Sequence, residues 1–123
     1  MDVKLKVTPD KYLPHRYAGA SGDFNPIHID VEFAQQVGLP SNILHGLYSM
    51  AQVARACSAG AGGDPRSLRR LSVQFRGLAF PEQELTVSGS ERERRDGRVV
   101  VDVVAEQGGN QIIRNAEAEL DLA

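Results

Sequence analysis

The sequence predicts a single α+β domain in which a five-stranded antiparallel sheet wraps around one long central helix. Three observations lead there. Between Gly46 and Ser58, apolar residues recur at helical spacing on nearly every face. Apolar and polar residues alternate with a period of two near the N-terminus and again from Leu68 onward. The chain has 123 residues, enough for one hydrophobic core and not two, so residues 1–123 read as one domain. An amphipathic sheet and a largely apolar helix bury each other best when the sheet curls around the helix.

The elements follow in order. Val3, Leu5 and Val7 alternate with Lys4 and Lys6, a short strand with one buried face, ended by Thr8-Pro9. Residues 15–30 fit no simple period and are punctuated by Gly19, Gly22 and Pro26, which suggests a site rather than a framework element. Asp30 is placed to N-cap a short helix from about Val31 to Val37, stopped by Gly38 and Pro40. The long helix runs from about Gly46 to Ser58, with Leu47, Met50, Val53, Ala54 and Cys57 at core spacing and a narrow polar stripe at Ser49, Gln52 and Arg55. A glycine-rich loop at 60–65 leads into a strand in which Leu71, Val73 and Phe75 face one way and Ser72, Gln74 and Arg76 the other. Strands over about 83–94 and 98–106 flank Asp96-Gly97, a two-residue hairpin signal. Gly108-Gly109-Asn110 turns into the last strand, which sets Ala116, Ala118, Leu120 and Leu122 against Glu117, Glu119 and Asp121. The last four strands, joined by short turns, are expected to be antiparallel. The mixed-sign run Glu91 to Asp96 reads as a solvated hairpin tip.

Composition excludes several functions. Apolar residues make up 41% and charged residues 24%, with 14 basic and 16 acidic side chains and a net charge of −2, so nothing favours nucleic acid or an anionic membrane. No stretch approaches the roughly 20 apolar residues that span a bilayer, and the N-terminus lacks the apolar block of a signal peptide. The one cysteine, Cys57, has no internal disulfide partner and lies on the apolar helix face, so a reducing, cytoplasmic setting is expected. His15, His28 and His45 do not stand at metal-ligand spacing, and Gly60-Ala61-Gly62-Gly63 lacks the Lys-Ser/Thr of a phosphate loop. No metal is expected.

The chemistry concentrates in Tyr17-Ala18-Gly19-Ala20-Ser21-Gly22-Asp23-Phe24-Asn25-Pro26-Ile27-His28. Asp23 and His28 are a carboxylate and an imidazole five residues apart, suited to moving a proton near neutral pH. Asn25 can orient either by hydrogen bonding, and Pro26 restricts the backbone between them. Spacing alone favours an Asx-turn at Asp23 with an ordinary surface His28, since Asp, Asn, Gly and Pro are turn residues. His45-Gly46 opens the long helix, where first-turn N–H groups lack intrahelical partners and the dipole is positive. Gly46 either lets a carbonyl oxygen approach that backbone as negative charge develops, or relieves crowding where the helix enters the core. His45 can help to cap the helix and is not assigned a catalytic part.

These residues resemble the MaoC-like hydratases of the hot-dog superfamily. The motif positions are matched by Tyr17, Gly19, Ser21, Gly22, Asp23, Asn25, Pro26, Ile27 and His28, with Ala34 at a later small position. His45-Gly46 is similar to the His-Gly pair that opens the family's central helix. The sequence departs from the family at Glu82-Gln83, where Gly-Asp is frequent, and at Ala54, where some members carry serine. The resemblance implies interconversion of trans-2-enoyl and (R)-3-hydroxyacyl thioesters. Asp23 and His28 would hold the water and move its protons, Gly46 N–H would bind the thioester oxygen, and Asn25 would support them. It implies no cofactor, coenzyme A or acyl carrier protein entering as part of the substrate. It also implies a homodimer or higher oligomer, or a heterodimer with a second hot-dog subunit. An acyl thioesterase and a non-catalytic acyl-binding subunit are the competing readings, against which the intact Asp23–His28 pair argues.

Overall fold

The computed structural model describes residues 1–122. Its order is β1 (Asp2–Val7), α1 (Leu13–Ser21), α2 (Pro26–Ile29), α3 (Val31–Gln36), α4 (Gly46–Gly60), a 3-10 turn (Pro65–Ser67), β2 (Leu68–Phe75), β3 (Leu85–Arg95), β4 (Arg98–Gln107) and β5 (Asn110–Asp121). One antiparallel sheet in the order β1-β3-β4-β5-β2 curls around α4, the predicted architecture. Val53, Ala56 and Cys57 of α4 pack on Val3, Leu85, Val87, Val101, Ile113 and Leu120 of the sheet. Each fully buried aliphatic side chain of this kind contributes roughly 1.5–3 kcal/mol relative to exposure.

The hairpins form where the turn chemistry placed them. Asp96 and Gly97 both have positive φ, 51° and 75°, the backbone that a twist-matched two-residue turn requires. The charged run beside it is solvated and internally paired, through Arg94–Glu91 and Arg95–Glu93. Asp30 caps α3 by accepting from the Phe33 N–H at 3.1 Å.

Four expectations are corrected. Residues 15–30 are not irregular throughout, because α1 and α2 lie within them. α1 escaped a periodicity reading because it buries only Pro14 and Ala18; it rests on Pro14 in its first turn and Gly22 at its end, whose φ of 79° allows the terminating bond to Ala18. The strands after α4 are not a simple meander: β2 pairs with β5 rather than β3, so residues 76–84 cross the end of the barrel-like sheet. Buried Gln107 pins that crossing, accepting from Phe80 N–H at 2.7 Å and donating to the Phe80 and Gln83 carbonyls at 2.9 and 3.1 Å. As an edge strand, β2 leaves Leu71 and Val73 only half-buried and Phe75 exposed. Finally, α4 is rotated from its expected setting. Ser49 and Gln52 are buried, while Leu47 is 61% exposed. Cys57 is in the core, as expected.

Candidate active site

Two turns and one helix start converge at a single point. Gly22 reverses the chain out of α1, and Asp23 then forms a local turn: its N–H faces Ser21 Oγ at 3.2 Å, and its Oδ1 accepts from Asn25 N–H at 3.2 Å. Asn25 caps α2, its Oδ1 accepting from Ile27 N–H at 3.2 Å. Asn25 therefore orients Asp23 through its backbone rather than through its side-chain amide, which refines the expectation that it can orient either group by hydrogen bonding. Pro26 opens α2, and that single helical turn aims His28 inward.

His28 is 8% exposed and held on two sides. Its Nδ1 lies 2.9 Å from the Ile43 carbonyl, and its own carbonyl accepts from Asn42 Nδ2 at 2.8 Å. A carbonyl oxygen can only accept, so Nδ1 carries the hydrogen in the neutral ring and Nε2 presents a lone pair. That Nε2 is 3.7 Å from Asp23 Oδ2. The Asx-turn is formed, and it leaves the second oxygen free: one carboxylate oxygen makes the turn and the other faces the imidazole. The segment Ile43–Leu44 is fixed by backbone bonds from Ile43 N–H to the Ile27 carbonyl and from Leu44 N–H to the Ala79 carbonyl, at 3.0 and 2.8 Å. It delivers the chain to His45 and the start of α4.

Gly46 stands at the first position of α4, where its N–H has no intrahelical partner. A cavity of about 170 Å³ opens there, bounded by His28, Gly46, Ser49, Phe75 and Ile112. A second hollow of about 270 Å³ lies beside it, lined by Tyr17, Ser21, Asp23, His45, Gly46 and Phe75. Gly46 and Phe75 are common to both. The arrangement offers two acceptors, Asp23 Oδ2 and His28 Nε2, and one backbone donor around a largely apolar space.

Sequence reasoning missed two residues of this site, Asn42 and Ser49, and gave His45 a capping part that it does not play. Asn42 anchors the His28 backbone, Ser49 lines the cavity, and His45 packs its ring on His28, with centroids 3.9 Å apart and planes 20° apart. The Asn42 signal was a polar residue immediately before Ile43-Leu44, and that of Ser49 was a hydroxyl one turn after Gly46. Neither pattern is specific without the fold. Asp23, His28 and His45 bring potential ligand atoms within 4.8 Å of one another. In-plane lone pairs on two nearly parallel, stacked rings run side by side rather than converging, so this geometry does not suit a shared metal ion. Other reactive groups of α4 are subdued by burial, which raises the Tyr48 phenol above its ordinary value and pushes the Cys57 thiol up to about 11. No helix among the described residues is long and apolar enough to cross a membrane.

Known proteins are similar to this chain in sequence and in fold. The fatty acid synthase beta subunit hexB of Dothistroma septosporum is 34% identical over 110 residues, covering 87% of this chain and 6% of that protein. The enoyl-CoA hydratase ChsH3 of Mycobacterium tuberculosis is 33% identical over 115 residues, covering 92% of this chain and 38% of its own length. The chain thus spans only a fraction of these relatives. A solved structure described as a MaoC-like dehydratase superposes with a TM-score of 0.93 at 27% identity, covering 100% of this chain and 40% of that one. The family described as the MaoC like domain matches residues 2–111, a stretch that takes in Asp23, His28 and Gly46 together with most of the sheet, and the chain belongs to that family.

Proposed function

We propose that this domain is a hydratase/dehydratase that adds water to trans-2-enoyl thioesters, or removes it from (R)-3-hydroxyacyl thioesters. The observation that carries the reading is the 3.7 Å gap between His28 Nε2 and Asp23 Oδ2, beside a cavity whose rim bears the free Gly46 N–H. Two acceptors facing each other across such a gap can each take one hydrogen of a water molecule. The water's oxygen lone pair is then left to attack.

In the forward direction that oxygen bonds to the β-carbon of the enoyl group. The C=C π pair moves towards the α-carbon and the thioester oxygen, where the Gly46 N–H and the positive end of α4 stabilise the enolate charge. One member of the Asp23–His28 pair takes a proton from the water, and a proton is delivered to the α-carbon, so the sum is one water per double bond. The reaction calls for no metal or redox cofactor. Coenzyme A or an acyl carrier protein enters as part of the substrate. Asn25 and Asn42 keep the pair in place through the backbone.

The relatives described as an enoyl-CoA hydratase and as fatty acid synthase subunits support this class of substrate. We further place the domain in an oligomer, a homodimer or a heterodimer with a second subunit of the same fold. β2 is a sheet edge, and at its Phe75 end Leu47, Phe75 and Leu78 leave exposed apolar surface at 61%, 50% and 48% exposure. The test is to incubate purified protein with a short enoyl-CoA and follow loss of the conjugated thioester absorbance. Hydration supports the reading. Release of free thiol would make the domain a thioesterase instead, and no turnover by the isolated chain that appears on adding a second such subunit would identify a heteromer.

A further inference from the structure

His45 is buried at 3% exposure and holds more than the start of a helix. It makes no side-chain capping bond to α4. Its Nε2 instead lies 2.9 Å from the Asp23 carbonyl oxygen, reaching across 22 residues of chain. Its face stacks on the His28 ring at 3.9 Å. Tyr17, from α1, packs against the same ring, tilted by 49° with centroids 4.8 Å apart, and is itself met edge-on by Tyr48 at 5.9 Å.

The hydrogen bond fixes the tautomer. The Asp23 carbonyl has no hydrogen to give, so His45 Nε2 must carry one. Nδ1 is left as a bare lone pair, and it is the one buried side-chain polar atom among the described residues with no partner. An orphaned buried nitrogen is unfavourable, and two simpler side chains avoid it. Phenylalanine would stack on His28 with no polar atom to satisfy. Glutamine would donate to the Asp23 carbonyl with no ring. Histidine does both at once, offering a flat face to one residue of the pair and an N–H at its far edge to the other.

We propose that His45 is a positioning residue for the Asp23–His28 pair, holding Asp23 by its backbone carbonyl and His28 by its ring face so that the 3.7 Å gap between them is kept. The proposal rests on the hydratase reading above and adds a residue that acts through the pair. Because only the relative placement of the two acceptors depends on it, its loss lowers turnover and leaves substrate binding at the Gly46 side of the cavity largely intact. A misplacement of about 1 Å at such a site costs roughly a hundredfold in rate.

The experiment compares His45→Phe with His45→Gln in enoyl-CoA hydration, alongside imidazole nitrogen spectra of the wild-type protein. The Gln amide nitrogen can reach the place of Nε2, so His45→Gln keeps the donor and His45→Phe keeps the stack. The expected result is a fall in kcat of about ten- to a hundredfold in His45→Phe, with KM within about threefold. His45→Gln is expected to recover at least about fivefold of that loss, and the spectra to show His45 protonated at Nε2 and bare at Nδ1. A folded His45→Phe protein with kcat within threefold of wild type would overturn the proposal, as would a rise in KM at constant kcat, or a His45→Gln variant no better than His45→Phe. If the wild-type chain hydrates nothing, alone or with a second subunit of the same fold, the hydratase reading fails by itself. The spectra still decide the present claim: a His45 protonated at Nδ1, or a His28 resonance unmoved by substitution at position 45, would refute it. Should His45→Phe fail to fold, the wild-type spectra and the shift of the His28 resonance in His45→Gln decide it in the same way.

Discussion

Substituting Gly46 by alanine separates space from conformation at the start of α4. The backbone at Gly46 is not left-handed, so alanine fits its dihedral angles. A Cβ there would lie 3.2 and 3.3 Å from Cε1 and Cδ1 of Phe75, closer than ordinary contact. The Phe75 ring is half-exposed, so it can swing away by the few tenths of an ångström required. Replacing glycine at a compatible helical position stabilises by about 0.4–1 kcal/mol through the unfolded chain. The crowding at Phe75 offsets part of this, and the net change in stability should stay within about 1 kcal/mol, a shift in Tm of a few degrees. Activity should behave differently. The new methyl stands on the wall common to both hollows, where a thioester oxygen must come within about 2.7–3.1 Å of the Gly46 N–H. Denying one such donor costs roughly 10²–10³ in kcat. The assay pairs a thermal melt with enoyl-CoA hydration on the same preparation. A stable Gly46→Ala protein with kcat/KM within threefold of wild type would mean that the oxygen docks elsewhere. A loss of activity that merely tracked a large drop in Tm would mean that Gly46 serves packing.

Three further perturbations have defined outcomes. Asp23→Asn and His28→Ala should each lower kcat by about 10²–10⁴, measured by the same absorbance assay, and full activity in both would remove the pair from the mechanism. Gly89→Ala should unfold the domain or destabilise it by about 1–3 kcal/mol or more in a urea titration, because a Cβ there would come within 2.5 Å of the Asp102 carbonyl on the neighbouring strand; an unchanged midpoint would contradict the register of β3 on β4. Burial holds the Cys57 thiol at about 11 against an ordinary 9.0. Below pH 9 the thiol is protonated in both states and its contribution is intact. As pH rises towards 11 the unfolded chain releases a proton that the folded one keeps, so stability falls by up to about 3 kcal/mol. Cys57→Ala should flatten that alkaline slope in denaturation curves taken between the two values, and an identical slope would place its cause elsewhere.

The parts of the fold that were legible in the sequence are those whose pattern is local. Asp96-Gly97, Asp30 and the alternation in β1 and β5 each specify a structure within a few residues, and the chain adopts it. What misled were patterns whose meaning depends on a neighbour. The α4 sequence is apolar nearly all round, so its own periodicity sets its rotation weakly. The fold resolves it by turning Ser49 into the cavity and leaving Leu47 exposed beside Phe75. Likewise Leu71-Ser72-Val73 alternates as a strand should, yet alternation does not tell an edge from a centre or say that β2 passes over to β5. α1 had the opposite fault: so little of it is buried that it carries no stripe, and its glycines read as loop.

The site follows the same division. Asp23, Asn25, Pro26 and His28 form one contiguous motif, and the turn it makes is compatible with the proposed acid–base pair because a carboxylate has two oxygens. The residues that keep the pair apart at a working distance were not legible, because they act through the backbone. Asn42 grips the carbonyl of His28, Ile43 offers its own carbonyl to the imidazole, and His45 reaches the carbonyl of Asp23. A carbonyl is present at every position, so no residue type at the receiving end marks such a bond. Only the donors could have signalled it, and Asn42 and His45 are explained well enough by a turn and a helix start when the chain is read linearly. The fold adds 14 to 22 residues of separation closed by hydrogen bonds, and with them the reason a short polar motif becomes a rigid pair. Rigidity of that kind predicts that substitutions at 42 and 45 act on rate through geometry, with no change in the groups that exchange protons.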